Sequence, residues 1–278
     1  MTLIELAHFH AQSLGGLTQA LWVISELTGL DRAHIFVSNE LVDETLELRV
    51  TEFIDRYNSG EPLQYLLGHW QFCELDLLCD SRALIPRPET ELLVQGVFDR
   101  MNKRSDLCGV DLGTGTGAIG LSLATSAAFS KIYLTDYSFD ALSLAYANFW
   151  RNKHLIKGQV VFCQGSWFDA LPGFGCGGLD LVVSNPPYVP TQDIAMLDKK
   201  MFAEPCIALD GGPTGTNSNM EILEKARGWL KVGALVAIEM GESHGQFLCQ
   251  AARDFGYGGV DLVNDLSGRN RYLFATML

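Results

Sequence analysis

Val110-Asp-Leu-Gly-Thr-Gly-Thr-Gly-Ala-Ile-Gly120 is the stretch that decides the fold class. It lies between an apolar strand, Cys108–Leu112, and a helical pattern. Gly113, Gly115 and Gly117, with Thr114 and Thr116 between them, let the backbone turn sharply and approach a ligand closely. The following helix adds free N–H groups at its N-terminus. A turn that only reverses the chain rarely needs three glycines, so this is read as a binding loop.

Toward the C-terminus, strands are predicted at Lys131–Thr135, Gln159–Cys163, Leu179–Ser184 and Ala234–Glu239. Amphipathic helical stretches such as Phe139 to Trp150 lie between them. The alternation implies an α/β fold with a parallel sheet covered by helices on both faces. Val260–Val263 and Arg271–Ala275, joined through Ser-Gly-Arg-Asn, read instead as an antiparallel hairpin.

Toward the N-terminus, Pro86 and Pro88 hold the chain extended, and a helix starts near Glu89 with acidic residues in its first turn. Residues 69–80 suggest a hairpin around Glu74. Residues 1–68 read as helical. Leu17-Thr-Gln-Ala-Leu-Trp-Val-Ile-Ser-Glu-Leu has helical spacing and is closed by Gly29. Asn39 is expected to cap a second helix, Leu41 to Tyr57, ended by Asn58-Ser-Gly60. At ~150 residues per domain, 278 residues imply about two domains. The division expected is a helical module over 1–68, a hairpin linker over 69–85 and a main domain over 86–278. The helical module has no glycine-rich loop and no titratable cluster, so it reads as a partner-binding or packing module.

Hydrophobic residues make up 47% and charged residues 19%, enough to bury a sizeable core. Lys+Arg 20 against Asp+Glu 33 leaves −13, which disfavours direct nucleic-acid binding and anionic membranes. No run approaches the ~18 apolar residues of a membrane span. The first basic side chain is Arg32, so no secretory or mitochondrial leader is expected, and the reading is cytoplasmic. Cys73, Cys79, Cys108, Cys163, Cys176, Cys206 and Cys249 are scattered without a CxxC, which suits reduced thiols. The six histidines show no metal spacing, and no metal is assigned.

Two ligands fit the glycine loop. Gly115-x-Gly117-x-x-Gly120 matches a dinucleotide fingerprint, and Asp136 lies 136 − 115 = 21 residues on, where a carboxylate grips ribose hydroxyls. S-adenosylmethionine carries the same ribose without a pyrophosphate. Asp111, expected at the mouth of the loop, favours its sulfonium and amino group. A second motif, Asn185-Pro186-Pro187-Tyr188, follows the strand Leu179–Ser184 and is expected to face the same crevice.

Asn-Pro-Pro-Tyr after the fourth strand resembles the class I methyltransferases that modify planar nitrogens. The whole chain is similar to the release factor glutamine methyltransferase family. The resemblance runs through Glu61-Pro-Leu-Gln-Tyr-Leu-Leu-Gly68, Leu84-Ile-Pro-Arg-Pro-Glu-Thr-Glu-Leu-Leu-Val94, Asp111-Leu-Gly-Thr-Gly-Thr-Gly117, Ser184-Asn-Pro-Pro-Tyr188, Glu204-Pro and Asp265-Leu-Ser-Gly-Arg-Asn-Arg271. It implies a doubly wound seven-strand sheet whose last hairpin is antiparallel, with a small helical N-terminal domain that contacts the substrate protein. The implied activity is methyl transfer from S-adenosylmethionine, leaving S-adenosylhomocysteine, to the glutamine of the Gly-Gly-Gln loop of peptide chain release factors. The resemblance gives Gly113 to Gly117 and Asn185 the cofactor, Asp136 its ribose, Trp167 its adenine, and Asn185 to Tyr188 the catalysis. The stretch Glu89-Thr-Glu91 either caps its helix or, as in the family, lies near the active site.

The chemistry suits these residues. An amide nitrogen attacks only if its lone pair localises toward the methyl carbon. Two acceptors aimed at its N–H bonds, the Asn185 side-chain oxygen and the Pro186 carbonyl, favour that state. Pro186 and Pro187 stiffen the geometry, and Tyr188 packs on the flat amide. One departure follows Glu204-Pro. Thr216 stands where the family has Leu, in a segment over 208–219 expected to line the substrate channel. The rival readings are a ribosomal-protein glutamine methyltransferase and a DNA adenine-N6 methyltransferase.

Overall fold

Thr2 opens the chain's first helix with a reciprocal cap: its hydroxyl accepts from the Glu5 N–H, and the Glu5 carboxylate accepts from the Thr2 N–H. That helix, α1 (Leu3–Leu14), ends at Gly15 in the left-handed conformation. The structure, a computed structural model, describes residues 1–173 and 177–278. Cys176 therefore lies outside the described residues, and the other six cysteines are free thiols.

After α1 come α2 (Leu17–Thr28), α3 (Arg32–Val37), α4 (Glu44–Asn58) and α5 (Leu63–Leu67). Gly29 terminates α2 with φ +72, as its position after the apolar repeat predicts. The second predicted helix needs correction. It starts at Glu44, capped by the Asp43 carboxylate, and not at Asn39. The reason lies in residues 40–42. Their backbone pairs with the N-terminus through Leu3 N–H to Glu40 C=O and Val42 N–H to Met1 C=O, which holds them extended. Leu6, Ala7, Val23, Ile24, Ile35 and Val50 are buried among these helices.

The chain divides into two units, 1–68 with 198–203, and 69–197 with 204–278. The second begins with a hairpin, β1 (His69–Phe72) and β2 (Leu75–Leu78), turning at Cys73-Glu74. Its next helix, α6 (Pro88–Arg100), has Pro88 at its first turn, where a missing N–H removes no hydrogen bond. Alternation follows: β3 (Leu107–Leu112), α7 (Ala118–Ala124), β4 (Phe129–Asp136), α8 (Phe139–Arg151), β5 (Gln159–Gln164), β6 (Leu179–Ser184), α9 (Asn217–Ala226), β7 (Leu230–Glu239), α10 (Gly245–Asp254), β8 (Tyr257–Asn264) and β9 (Asn270–Met277).

The sheet order is β5-β4-β3-β6-β7-β9-β8, parallel except where β9 pairs with β7 and β8. Two apolar layers cover it. Leu93, Leu121 and Phe274 belong to one, and Val182, Ile222 and Leu248 to the other. At ~25 cal/mol per Å² of apolar surface, these layers supply the main stabilisation. The seven-strand sheet and its antiparallel last hairpin match the expected fold class. Strand order reverses between β3 and β6, the position at which open α/β sheets bind ligands. Among the described residues, no helix is long and apolar enough to cross a membrane.

Candidate active site

β3 and β6 are neighbours whose register pairs Leu112 with Ser184. The Ser184 hydroxyl donates to the Leu112 carbonyl at 2.7 Å. The next residues, Gly113 and Asn185, therefore leave the sheet side by side, and the two motifs the sequence singles out open into one cavity of about 360 Å³.

On the glycine side, Gly113, Thr114, Gly115 and Thr116 line this cavity. Gly117 does not; it caps α7 at φ +86 and shapes the loop. Asp111 departs from expectation. It is fully buried beneath the loop and does not line the cavity. One of its oxygens accepts from the Thr114 hydroxyl at 2.6 Å and from the Gly120 N–H at 2.9 Å, while the other has no partner. Burial pushes its pKa up to about 6. Its inward direction makes it a tie for the loop and takes it away from any ligand charge.

Asp136 does line the cavity. Its two oxygens accept from the Gly115 and Ser138 N–H groups at 2.9 Å each, and burial raises its pKa. Trp167 sits after β5 with a left-handed φ of +44. Its ring covers Gly113 so closely that a Cβ there would lie 3.3 Å from it. It lines the cavity and also packs on the core below. Asn148, buried in α8, donates to the Thr116 carbonyl at 2.9 Å and clasps both backbone groups of Leu78. The hairpin is thus pinned to the glycine loop.

On the other side, Asn185 and Pro187 line the cavity. Pro186 is buried, and Tyr188 turns away from the cavity toward Glu239. The Asn185 amide donates to Thr90 Oγ1 at 3.2 Å. Thr90 donates to Glu239 Oε2 at 2.7 Å, and Tyr188 donates to Glu239 Oε1 at 3.5 Å. Thr90 and Glu239 are buried. Burial pushes the Glu239 pKa up to about 7, opposed by the Thr90 bond and the Arg271 charge. Burial also pushes Tyr188 up to about 12. The Arg271 guanidinium lies 5.9 Å from the Tyr188 ring centre and donates to the Met240 carbonyl.

Two further segments frame the cavity. Glu204 is buried and ties down the strap of Ile85, Pro86 and Arg87 that lines it: Oε2 accepts from the Ile85 N–H at 3.0 Å, and Oε1 pairs with Arg87. The segment over 208–219 lines the cavity at Ala208, Asp210 and Ser218. It also buttresses the Asn-Pro-Pro-Tyr backbone. Val189 exchanges hydrogen bonds with Leu209 and Gly211, and Thr191 donates to Gly212. Thr216 is buried, its hydroxyl 2.8 Å from that of Thr214.

The sequence offers Thr90 as a capping residue or a neighbour of the site, and nothing in it singles out Asn148 or gives Glu239 a role. The acidic end of the strand Ala234–Glu239 was the one signal that pointed to Glu239.

Comparison with known proteins agrees with this fold. Residues 88–214 match the family described as "Methyltransferase small domain", and residues 16–68 match "PrmC N-terminal domain". A release factor glutamine methyltransferase of Moorella thermoacetica is 39% identical over 82% of this chain and 79% of its own. Among solved structures, a methyltransferase from Pyrococcus furiosus superposes with a TM-score of 0.55 at 17% identity, over 84% of this chain and 99% of that one. The T. thermophilus 16S rRNA N2 G1207 methyltransferase, solved with AdoMet and guanosine, superposes with a TM-score of 0.52 at 16% identity, over 76% and 50%.

Proposed function

Because the chain belongs to the release factor glutamine methyltransferase family, we propose that it transfers a methyl group from S-adenosylmethionine to the side-chain amide nitrogen of the glutamine in the Gly-Gly-Gln loop of a peptide chain release factor. One observation carries this reading: the glycine loop and Asn185 open side by side into a single cavity. The release-factor substrate implies a cytoplasmic site of action.

The cavity's residues fit the proposed cofactor. Gly113, whose missing Cβ would press on the Trp167 ring, leaves a slot beside that ring for a flat group. Asp136 lines the cavity, and each of its oxygens, after accepting from one backbone N–H group, keeps a lone pair for a ribose hydroxyl. In this reading Gly113, Thr114, Gly115 and Thr116 cradle the cofactor, Gly117 shapes the cradle, Asp136 holds the ribose and Trp167 covers the adenine. When bound, S-adenosylmethionine supplies an electrophilic methyl on a positively charged sulfur.

Asn185 presents its amide oxygen to the substrate, because its nitrogen is committed to Thr90. That oxygen and the Pro186 carbonyl accept from the substrate amide N–H bonds and localise its lone pair. Pro187 stiffens the loop. Tyr188 contributes from behind, by holding the loop against Glu239, and not by covering the substrate as the sequence alone led us to expect. The nitrogen forms its bond to the methyl carbon as the carbon–sulfur bond breaks. The acidic alkylated amide then releases its proton to solvent. Alignment of the two reactants offers ~7–11 kcal/mol of barrier reduction in principle.

The test is a methyl-transfer assay with labelled S-adenosylmethionine and a purified unmethylated release factor, read by mass spectrometry of the Gly-Gly-Gln peptide. Ribosomal protein and duplex DNA serve as parallel substrates. One methyl on that glutamine is the expected result; methyl on a parallel substrate alone overturns the assignment.

A further inference from the structure

An asparagine side chain has nearly the same shape when its oxygen and nitrogen trade places. For Asn185 the exchange decides the chemistry. The proposed substrate amide brings N–H donors, so a flipped Asn185 meets donors with donors. Something must hold one orientation, and water cannot, because the atoms behind Asn185 are buried.

The hydrogen-bond chain behind Asn185 has a polarity. A carboxylate only accepts. Thr90 has one hydrogen, and it goes to Glu239 Oε2 at 2.7 Å. The Thr90 oxygen is then left as an acceptor, which the Asn185 nitrogen satisfies at 3.2 Å and its oxygen cannot. The other carboxylate oxygen takes the Tyr188 hydroxyl at 3.5 Å. One side chain at the end of β7 therefore holds both ends of the Asn-Pro-Pro-Tyr loop. Burying it is costly. Among the described residues Glu239 forms no salt bridge, since Arg271, the nearby cation, donates to Met240 and faces Asp265 at 3.5 Å. A carboxylate kept in such a place points to a role for its polarity.

We propose that Glu239, acting through Thr90, is a positioning residue that keeps the oxygen of the Asn185 amide turned toward the substrate. The inference rests on the role assigned to Asn185 above. It has a consequence for pH. A proton on Oε2 makes Glu239 the donor to Thr90, sends the Thr90 hydrogen to Asn185, and so favours the flipped amide. Burial brings this titration to about 7. The groups that face Glu239 are Thr90 and Glu89 from α6, Tyr188 from the loop, and Arg271 and Tyr272 from β9. Arg271 favours the ionised form, and Glu89 opposes it.

The experiment measures kcat, both KM values and the pH profile of methyl transfer to an intact release factor for the wild type, Glu239→Gln, Thr90→Val, Thr90→Ser and Asn185→Ala. Thr90→Val and Glu239→Gln are expected to lose about ten- to a hundredfold in kcat, the loss of one charge-assisted hydrogen bond, with KM for S-adenosylmethionine within about threefold. Thr90→Ser, which keeps the hydroxyl, should return to within about threefold of wild type. Wild-type kcat should rise with pH through about 7 and that rise should vanish in Glu239→Gln. The inference is overturned if Asn185→Ala is inactive while Thr90→Val and Glu239→Gln keep wild-type kcat. It is equally overturned if both lose cofactor affinity in step with kcat and keep the wild-type pH profile, which is the mark of a merely structural role. Near-normal turnover by Asn185→Ala is a different outcome and removes the underlying reading of Asn185. Should Glu239→Gln not fold, the Thr90→Val and Thr90→Ser pair decides the question by itself.

Discussion

The loop leaving β3 and the loop leaving β6 each stand over a buried carboxylate with a raised pKa, Asp111 at about 6 and Glu239 at about 7. They differ in what the carboxylate holds. Asp111 binds a hydroxyl three residues on and a backbone N–H nine residues on. Its loop is backbone shaped by glycines, and the tie is local. Glu239 binds side chains 149 and 51 residues away, and its loop presents a side chain, Asn185. Backbone recognition suits a cofactor of constant shape. A side-chain amide whose two ends can exchange needs a polarity imposed from elsewhere in the fold.

The largest expected effect sharpens this contrast. Asn185→Ala should cost roughly 2.7–4 kcal/mol of transition-state stabilisation, or ~10²–10³ in kcat, by analogy with removing a pre-organised hydrogen-bonding group. Cofactor affinity, measured by calorimetry, should stay where it is. If affinity falls and kcat does not, the division of labour between the two loops is wrong.

Asp111→Asn comes next and reads stability. Burial raises the Asp111 pKa from 3.8 to about 6, so its contribution to the fold is whole below pH 3.8 and is lost as pH rises through about 6. Urea unfolding between pH 4 and 7 should show wild type losing on the order of 2–3 kcal/mol relative to Asp111→Asn. A stability difference that does not change with pH would mean that the buried carboxyl titrates normally.

Asp136→Asn tests the cofactor side at the ligand. Replacing a charged acceptor by an amide should weaken S-adenosylmethionine binding about tenfold to a hundredfold, with kcat at saturation little changed. A fall in kcat alone would move Asp136 to the chemistry.

The smallest effects compare two glycines. A Cβ at Gly215, where φ is +73, would lie 2.4 Å from the Tyr188 carbonyl oxygen. At Gly113, where φ is +68, it would touch only the Trp167 ring, at 3.3 Å. Gly215→Ala should therefore destabilise by about 1–3 kcal/mol and lower kcat by displacing the Asn185 loop. Gly113→Ala should cost about 1–2 kcal/mol, felt in cofactor affinity. Equal effects on kcat would show that the segment over 208–219 is no special buttress of the Asn185 loop.

Much of this was legible in the residues. Gly29 stops α2 because a left-handed turn favours glycine, and the hairpin turns at Cys73-Glu74 because strand patterns flank it. The misplaced cap shows where local reading fails. Asn39 and Asp43 are both good caps, and the choice fell to the pairing of residues 40–42 with the N-terminus. Asp111 was misread for a similar reason. A carboxylate at a strand end can point inward or outward, and only packing selects the direction.

The sequence by itself determined the alternating fold, the two loops and their chemical type, because periodicity, glycine and proline act within a few residues of themselves. The sequence predicts that the two loops share a crevice; the tertiary structure decided that they do so because β6 lies next to β3, and it alone decided that Glu239 lies beneath Thr90 and Asn185. Strand order and buried contacts between distant residues arise from packing across the sheet, and no local pattern along the chain encodes which side chains will share one buried hydrogen-bond chain.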